Sequence, residues 1–582
     1  MNIHENTSQL ETPVLNVEQA VINKFPDFDA KPTPFKRSAL HMLRKLVHEK
    51  EINTFLAKNK DAHGFEFIDR VLDYFNFGYS ISNHDRANIP SSGRVVIIAN
   101  HPLGALDGLS LLKLVGEVRR DVKIVANDVL MNFDPISNLF LPVDNLNGNT
   151  RKKNIEGIVD ALRQEQAVIV FPAGEVSRAG ITGIKDDKWN SGFLRIARKA
   201  NAPILPVFIG GKNSPLFYSV SYLNKNFSTI MLAREMFKQY SVTIQIKVGE
   251  AIPYCQIDAV PVSTAEKTKL LKKHLYRIAK NKKPLFITEK TIAHPQDRQS
   301  IKQELRDAKL LGETADGKKI YLFDFIKDSA VMHELGRLRE IAFRCVGEGT
   351  GAKKDLDHYD QYYRHIILWD EEELEIVGAY RLAEAAKLKE QPEKALYSSD
   401  LFQYNDEMQP YFSQGIELGR SFVQPKYWGK RSLDYLWYGI GAYLRKHPEI
   451  RYMFGPVSLS NNYPKAAKDM LVWFYRHYFE DSENLASSVS PYGIDEVTEE
   501  HMRSLFGGNN YKSDFSILKE QLEFMGVNVP TLYKQYSELC TEGGVRFLDF
   551  GVDPDFNYCI DGLVLVDITY VKEKKHKRYI GE

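Results

Sequence analysis

RVVIIANHPLGALDG, residues 94–108, decides how this sequence is read: an unbroken apolar run from Val95 to Ala99 stops at Asn100, and His101, Pro102, Gly104, Asp107 and Gly108 follow at once. A short apolar run closed by turn formers predicts a strand covered on both faces, and the residues just beyond it are where reactive side chains gather. Pro102, Gly104 and Gly108 bend the connection, so that His101 and Asp107 can turn toward each other at the strand exit.

Working outward, similar runs recur at VKIVAN (122–127), AVIVFP (167–172), PILPVFIG (203–210) and TIQIKVG (243–249), separated by stretches of helical period. Buried strands alternating with helices predict an α/β domain. Upstream, Phe35 to Lys60 predicts one basic amphipathic helix, with Leu40, Leu43, Leu46, Val47, Phe55 and Leu56 near a helical period and Lys36, Arg37, Arg44, Lys45 and Lys50 among them. Such a helix either lies in a membrane interface or packs on its own domain. A second helix is expected at Phe65 to Phe75. Between Lys280 and Lys319 the composition turns polar and charged, which reads as a partly helical connection with a boundary near residue 300. The second half restarts with IYLFDFI (320–326), a helix around Val331 to Phe343, the strands HIILWD (365–370) and EIVGAYRLAEA (375–385), a helix through Leu433 to Leu444, and YMFGPVSLS (452–460). Two α/β domains, residues 1–300 and 301–582, are therefore expected, the second α/β or α+β in detail.

The 582 residues are 43% hydrophobic and 26% charged, which excludes disorder for most of the length. Lys and Arg number 77 against 76 Asp and Glu, so the broad basic excess of a nucleic-acid binder is lacking. Cys255, Cys345, Cys540 and Cys559 are scattered, which argues against a disulfide scaffold or structural zinc and for a reducing compartment. The leader MNIHENTSQLETP lacks the basic start and apolar stretch of a signal peptide, and the longest apolar runs are far too short to span a bilayer. A cytoplasmic protein that meets lipid from one side is expected.

An imidazole at the exit of a buried strand can take a proton from an alcohol, and a carboxylate beside it can fix its tautomer, which makes His101 and Asp107 a candidate dyad for acyl transfer to a hydroxyl. The same spacing also suits a helix-capping His101 with a surface Asp107. A second motif follows the strand AVIVF: in PAGEVSR, residues 172–178, Glu175, Ser177 and Arg178 share one turn, and arginine offers a fork suited to a carboxylate or phosphate. Together with APILPVFIGG, residues 202–211, these motifs resemble the glycerolipid acyltransferase superfamily of the lysophosphatidate acyltransferase type. Two departures stand out: five residues rather than four separate His101 from Asp107, and the acid of the later block sits at Glu175. The variants look like a subgroup whose acceptor is a lyso-aminolipid. The resemblance implies that His101 is the general base, that Asp107 orients it, and that Glu175, Ser177 and Arg178 bind the headgroup. Asp186, Trp189 and Gly192 in DDKWNSGF either help close this site or form a turn with a core tryptophan.

In the second half, Arg339 and Phe343 in RLREIAF, Asp357 and Asp360 in DLDHYD, Arg381 in AYRL, and Glu417, Arg420 and Ser421 in IELGRS are each, taken singly, compatible with a surface ion pair. As an ordered set they resemble the acyl-homoserine-lactone synthase and ornithine N-acyltransferase branch of the GNAT fold, over about residues 320 to 480. The resemblance implies that Glu417 acts as base or orients the amine through water and that Asp357 and Asp360 attract a cationic amino acid. Arg339, Arg381 and Arg420 would then hold the site together or bind the donor. Residues beyond, including RFLDFGVDPDFNYCIDGLVLVD, look like a family-specific extension with Asp553 and Asp555 as turn formers, and the tail KEKKHKR reads as a solvated end.

Both resemblances on one chain point to the bifunctional ornithine-lipid synthase family. Its implied chemistry is N-acylation of an amino acid with a 3-hydroxyacyl group, then O-acylation of that hydroxyl. The implied donors are acyl carrier protein or CoA thioesters, the implied place is the inner face of the cytoplasmic membrane, and no metal or other cofactor is called for because a thioester is already activated. Two other readings stay open: a lysophospholipid acyltransferase with an inactive or regulatory GNAT-like half, and a haemolysin-like membrane-binding protein.

Overall fold

A computed structural model describes residues 15–24, 34–127, 134–143, 150–180, 183–223, 225–391, 393–508 and 510–581. The leader read as lacking a signal sequence, residues 1–13, lies outside the described residues. The chain separates into unit 1, Met1–Thr291, and unit 2, Ile292–Glu582, so the division falls earlier than the expected residue 300.

Unit 1 holds the strands β1 (Gly78–Ser80), β2 (Val95–Ala99), β3 (Val122–Asn127), β4 (Phe140–Val143), β5 (Ala167–Val170), β6 (Arg178–Gly180), β7 (Gly183–Lys185), β8 (Ile204–Gly210) and β9 (Thr243–Val248). Seven of them form one sheet in the order β1-β9-β8-β2-β5-β3-β4, parallel except where β9 meets β8 antiparallel, while β6 and β7 form a separate hairpin. The continuous apolar run of β2 follows from this placement. Val95, Ile97 and Ala99 enter the core on one face, Val96 and Ile98 the core on the other, and β5 divides its residues in the same way. The single helix expected over Phe35 to Lys60 is two, Pro34–Leu46 and Glu49–Lys58, because His48 turns left-handed between them (φ 57°). The helix Gly64–Tyr74 lies where the sequence predicted it.

Unit 2 contains β10 (Lys309–Glu313), β11 (Lys319–Phe323), β12 (Arg364–Asp370), β13 (Glu375–Glu384), β14 (Phe402–Tyr404), β15 (Gly415–Val423), β16 (Tyr452–Leu459), β17 (Ala486–Ser488), β18 (Val545–Asp553) and β19 (Cys559–Asp567). Eight form a sheet in the order β10-β11-β12-β13-β15-β16-β19-β18, and β14 with β17 makes a small second one. One face packs Ile366, Leu368, Ile416 and Leu418 against the helices Ser432–Lys446 and Lys465–Tyr478, and the other packs Ile367 and Trp369 against the helix Ala330–Val346.

Two expectations are corrected here. The charged stretch 309–319, read as the end of the connection, is instead β10 and the turn at Asp316-Gly317 that pairs it with β11, the strand expected at IYLFDFI, and β10 is an edge strand whose exposure hides its period. The supposed extension is the β18/β19 hairpin, with β19 paired along its length to β16 inside the sheet. The tail KEKKHKR is largely exposed, in keeping with a solvated end, and belongs to a helix, Glu573–Tyr579, that Tyr579 and Arg578 tie to Asp434.

The β15/β16 pair sets the geometry of unit 2. It is the parallel step in an otherwise antiparallel sheet, and its register ends at Glu417 opposite Phe454. At the next position a Cβ on Gly455 would stand 2.0 Å from the Leu418 carbonyl oxygen, so only glycine permits this approach. Past it β15 leaves the ladder: two residues, Arg420 and Ser421, oppose Tyr380 alone, and Arg420 takes a left-handed conformation (φ 47°).

Candidate active sites

In unit 1 the strand ends by a side-chain substitution for the ladder. The Asn100 amide donates to the Ile209 carbonyl (2.8 Å) and accepts from the Ile209 N–H (2.7 Å), continuing the β2/β8 pairing while the main chain turns away. The turn is completed at Gly104 (φ 92°), and the helix Ala105–Gly116 begins there, earlier than expected, with Gly108 inside it rather than in the bend. Asp107, in the first turn of that helix, reaches back so that Oδ2 accepts the N–H groups of Leu103 (2.7 Å) and Gly104 (3.1 Å).

This return places Asp107 Oδ2 3.2 Å from His101 Nδ1, an ion-pair distance, although the ring N–H is not aligned on that oxygen. Asp107 is fully buried, so it is not the surface carboxylate of the alternative reading, while the His101 side chain keeps 19% exposure. Burial pushes the Asp107 carboxyl up, against the opposing pull of His101 and the two backbone N–H groups. The imidazole is stacked on Phe171, ring centroids 4.2 Å apart. His101 also lines a largely apolar cavity of about 990 Å³, walled by Phe55, Leu56 and Phe67 from the N-terminal helices and by Leu109, Phe171 and Phe237.

Asp186 organises the approach to this site. Its carboxylate accepts the His101 N–H (3.1 Å), the Ser177 hydroxyl and the Trp189 indole N–H (2.8 Å), and the Ser177 N–H donates to the His101 carbonyl (2.7 Å). Ser177, expected to bind substrate, is therefore buried and engaged, and it positions His101 instead. Glu175 and Arg178 pair with each other (3.0 Å), with Arg178 also on the Ser221 carbonyl, in the turn whose Gly174 and Val176 line the cavity.

In unit 2 the predicted set does converge. Arg339 Nη1 pairs with Asp360 (2.8 Å), Arg381 Nη1 with Asp357 (2.6 Å) and Asp360 (3.3 Å), and Arg420 with Asp355 (3.2 Å) and Asp357 (3.5 Å). Asp357 and Asp360 are brought together by a one-turn capping box, each accepting the other's N–H. Burial would raise Asp360, but Arg339 and Arg381 override it and hold the carboxyl far below its ordinary range. Arg381 lies over the rings of Tyr359, Tyr363 and Tyr397, and Arg420 over Tyr397 and Phe556. Arg339, Asp360 and Arg381 are wholly buried and hold the site together, whereas Asp357 retains 22% side-chain exposure.

Glu417 is corrected. It is 1% exposed, and its carboxylate accepts the N–H groups of Tyr397 (3.1 Å) and Ser398 (2.8 Å) and the Tyr363 hydroxyl. With its oxygens occupied and burial raising its pKa, it anchors residues 397–398 to β15 rather than facing an amine. Sequence reasoning missed His365, Asp355, Tyr397, Glu348 and Asp561. His365 is buried with its pKa lowered to about 3, and because arginine only donates, its Nδ1 accepts from Arg339 Nη2 (3.2 Å). A usable signal was a polar residue inside an apolar strand, His365 in HIILWD and Asp561 in CIDGLVLVD. Among the described residues Glu384, His447 and Glu449 bring ligand atoms within 4.8 Å of one another, but Glu384 already carries Arg364, Lys387 and the Tyr443 hydroxyl. No helix among the described residues is long and apolar enough to cross a membrane.

Compared with known proteins, residues 23–283 match the family described as Acyltransferase and residues 338–438 the Acetyltransferase (GNAT) domain. A Glycine N(alpha)-acyltransferase of Bacteroides thetaiotaomicron is 33% identical over 303 residues, 50% of this chain and 89% of the relative. A Lyso-glycine lipid O-acyltransferase of the same bacterium is 31% identical over 236 residues, 39% of this chain and 86% of the relative. An L-ornithine N(alpha)-acyltransferase of Brucella abortus is 36% identical over 148 residues, 22% of this chain and 50% of the relative. With both domain families on one chain and both kinds of relative matched, this enzyme belongs to the acyltransferases of bacterial aminolipid synthesis.

Proposed function

We propose that the chain makes a two-chain aminolipid in two steps. Unit 2 transfers a 3-hydroxyacyl group from a thioester of acyl carrier protein or CoA to the α-amine of an amino acid, glycine and ornithine being the acceptors the relatives' names suggest. Unit 1 then esterifies the new 3-hydroxyl with a second acyl group. The order has a chemical reason, since the hydroxyl acylated second arrives on the first acyl group.

The observation that carries the reading is the His101–Asp107 pair beside the 990 Å³ apolar cavity. With Nδ1 turned to Asp107, Nε2 is left to take the hydroxyl proton. The oxygen then forms the ester C–O bond as the thioester C–S bond breaks, and the imidazolium returns the proton to the departing sulfur. Burial of Asp107 strengthens its hold on the imidazolium. The cavity volume lies at the top of the usual range for ligand pockets, about 300–1,000 Å³, and its aromatic walls suit an acyl chain. On the helix Pro34–Leu46 the exposed Met42 stands among Lys36, Arg37 and Lys45, a combination suited to peripheral attachment to an anionic membrane on its inner face.

The test is reconstitution with the purified chain, glycine or ornithine, and 3-hydroxyacyl and acyl thioesters, followed by mass spectrometry. The expected products are an N-(3-hydroxyacyl) amino acid and then its O-acylated form. Conversion of lysophosphatidate to phosphatidate with no amine acylated would overturn the reading in favour of a lysophospholipid acyltransferase.

A further inference from the structure

The β18/β19 hairpin brings a second group of acids to the place where β15 and β16 part, and the ion-pair network does not neutralise it. Asp561 lies on β19 opposite Ser458 of β16 and Gly551 of β18. It is 6% exposed, and among the described residues no donor reaches its carboxylate. Its neighbours Ile560 and Val564 enter the core under the helices Ser432–Lys446 and Lys465–Tyr478, while Cys559 and Leu563 enter the clusters of the opposite face. By strand alternation Asp561 therefore points to that opposite face.

Two further carboxylates meet it there. Glu348, just past the end of the helix Ala330–Val346, is buried and accepts the hydroxyl of Ser458 (2.8 Å), the residue directly across the ladder from Asp561. Asp553, at the end of β18, accepts the Tyr397 hydroxyl (3.4 Å) and the Asp555 N–H (2.9 Å). Arg420 faces Asp553 and Asp561 but is already at ion-pair distance from Asp355 and Asp357. Burial, then mutual repulsion, raises Asp561 well above the carboxylate range, and burial raises Glu348 to about 7. Three buried acids beside one engaged guanidinium hold protons when alone and become charged only where a cation completes them.

We infer that Asp561, with Glu348 and Asp553 beside it, is the binding site for the ammonium group of the amine acceptor of unit 2. This rests on the proposed N-acyl transfer. A compact ammonium ion supplies donors to the unpartnered Asp561 carboxylate and offsets the repulsion among the three acids. The site lies where the β15/β16 ladder has ended, so the acceptor meets the sheet at its opening, and two of its three acids, Asp553 and Asp561, come from outside the matched GNAT segment.

The test uses the purified full chain. In Asp561→Asn the KM for glycine or ornithine should rise about tenfold or more, with the thioester KM and the urea unfolding midpoint unchanged, and Asp561→Glu should recover part of the loss. An amine KM within twofold of wild type, or an equal rise in both KM values, would overturn the inference. If Asp561→Asn does not fold, Glu348→Gln takes its place, judged on the amine and thioester KM values alone. Calorimetric titration of glycine and ornithine into the wild-type chain separates the two layers. Amine binding that weakens in the variant supports the site even if no N-acyl product forms, and absence of amine binding to a chain that does form the product overturns the site alone.

Discussion

In unit 1 one buried carboxylate, Asp107, faces one imidazole beside an apolar cavity, whereas in unit 2 Arg339, Arg381 and Arg420 interlock with Asp355, Asp357 and Asp360 in a network that is mostly sealed. The difference matches the two acceptors of the proposed reactions. A hydroxyl on an acyl chain carries no charge and needs a base in an apolar wall, while an amino acid is charged at both ends and needs fixed charges to meet it. Removing a group from the first site should therefore reduce rate, and removing one from the second should first reduce stability.

The largest effect is expected for Asp107→Asn. The amide oxygen can still accept the Leu103 and Gly104 N–H groups, so the fold is kept, but the charge beside His101 is lost. O-acylation should fall about 10²- to 10⁴-fold with N-acylation unchanged, measured as separate initial rates. A parallel fall in both would erase the distinction between the sites. Next comes Arg339→Ala, which removes the shorter of the two arginine contacts of the buried Asp360, leaving it Arg381 at 3.3 Å, and takes away the Nδ1 partner of His365. A loss of about 3–5 kcal/mol is expected for breaking a buried pair from one side, read from urea unfolding. A loss no greater than that of Asp107→Asn would contradict the contrast.

A smaller effect follows from pH. Glu348 is raised from an ordinary 4.5 to about 7 by burial, so the folded state holds its proton more tightly than the unfolded chain. Its contribution is then fully present below about pH 4.5 and is lost as the pH rises through 7, a difference of up to about 3 kcal/mol. Comparing urea unfolding of wild type and Glu348→Gln at pH 5 and 7.5 checks the sign: the variant should gain on the wild type at the higher pH. An equal difference at both values would show that Glu348 does not titrate between them.

How much was legible in the sequence also divides along the two units. The His101 turn could be read because strand, bend and acid are contiguous, and only the placement of Gly108 inside the helix was missed. In unit 2 the ordered set from Arg339 to Arg420 was recoverable as a pattern, but the roles within it depend on depth. Glu417 has the residue type of a base, yet two backbone N–H groups of a segment distant in sequence occupy it. Asp561 and Glu348 meet only because β19 inserts beside β16, a pairing of long sequence separation that local period does not encode. The edge strand β10 was lost for the opposite reason, since it is too exposed to show a buried face.

The central claim is that two separate sites act in turn on one growing amphiphile, and His101→Ala tests it most directly. The purified variant, given an amino acid with 3-hydroxyacyl and acyl thioesters, should accumulate the single-chain N-(3-hydroxyacyl) amino acid at the wild-type rate and make no two-chain product. A two-chain product at the wild-type level, or the disappearance of the N-acyl species from a folded variant, would contradict it.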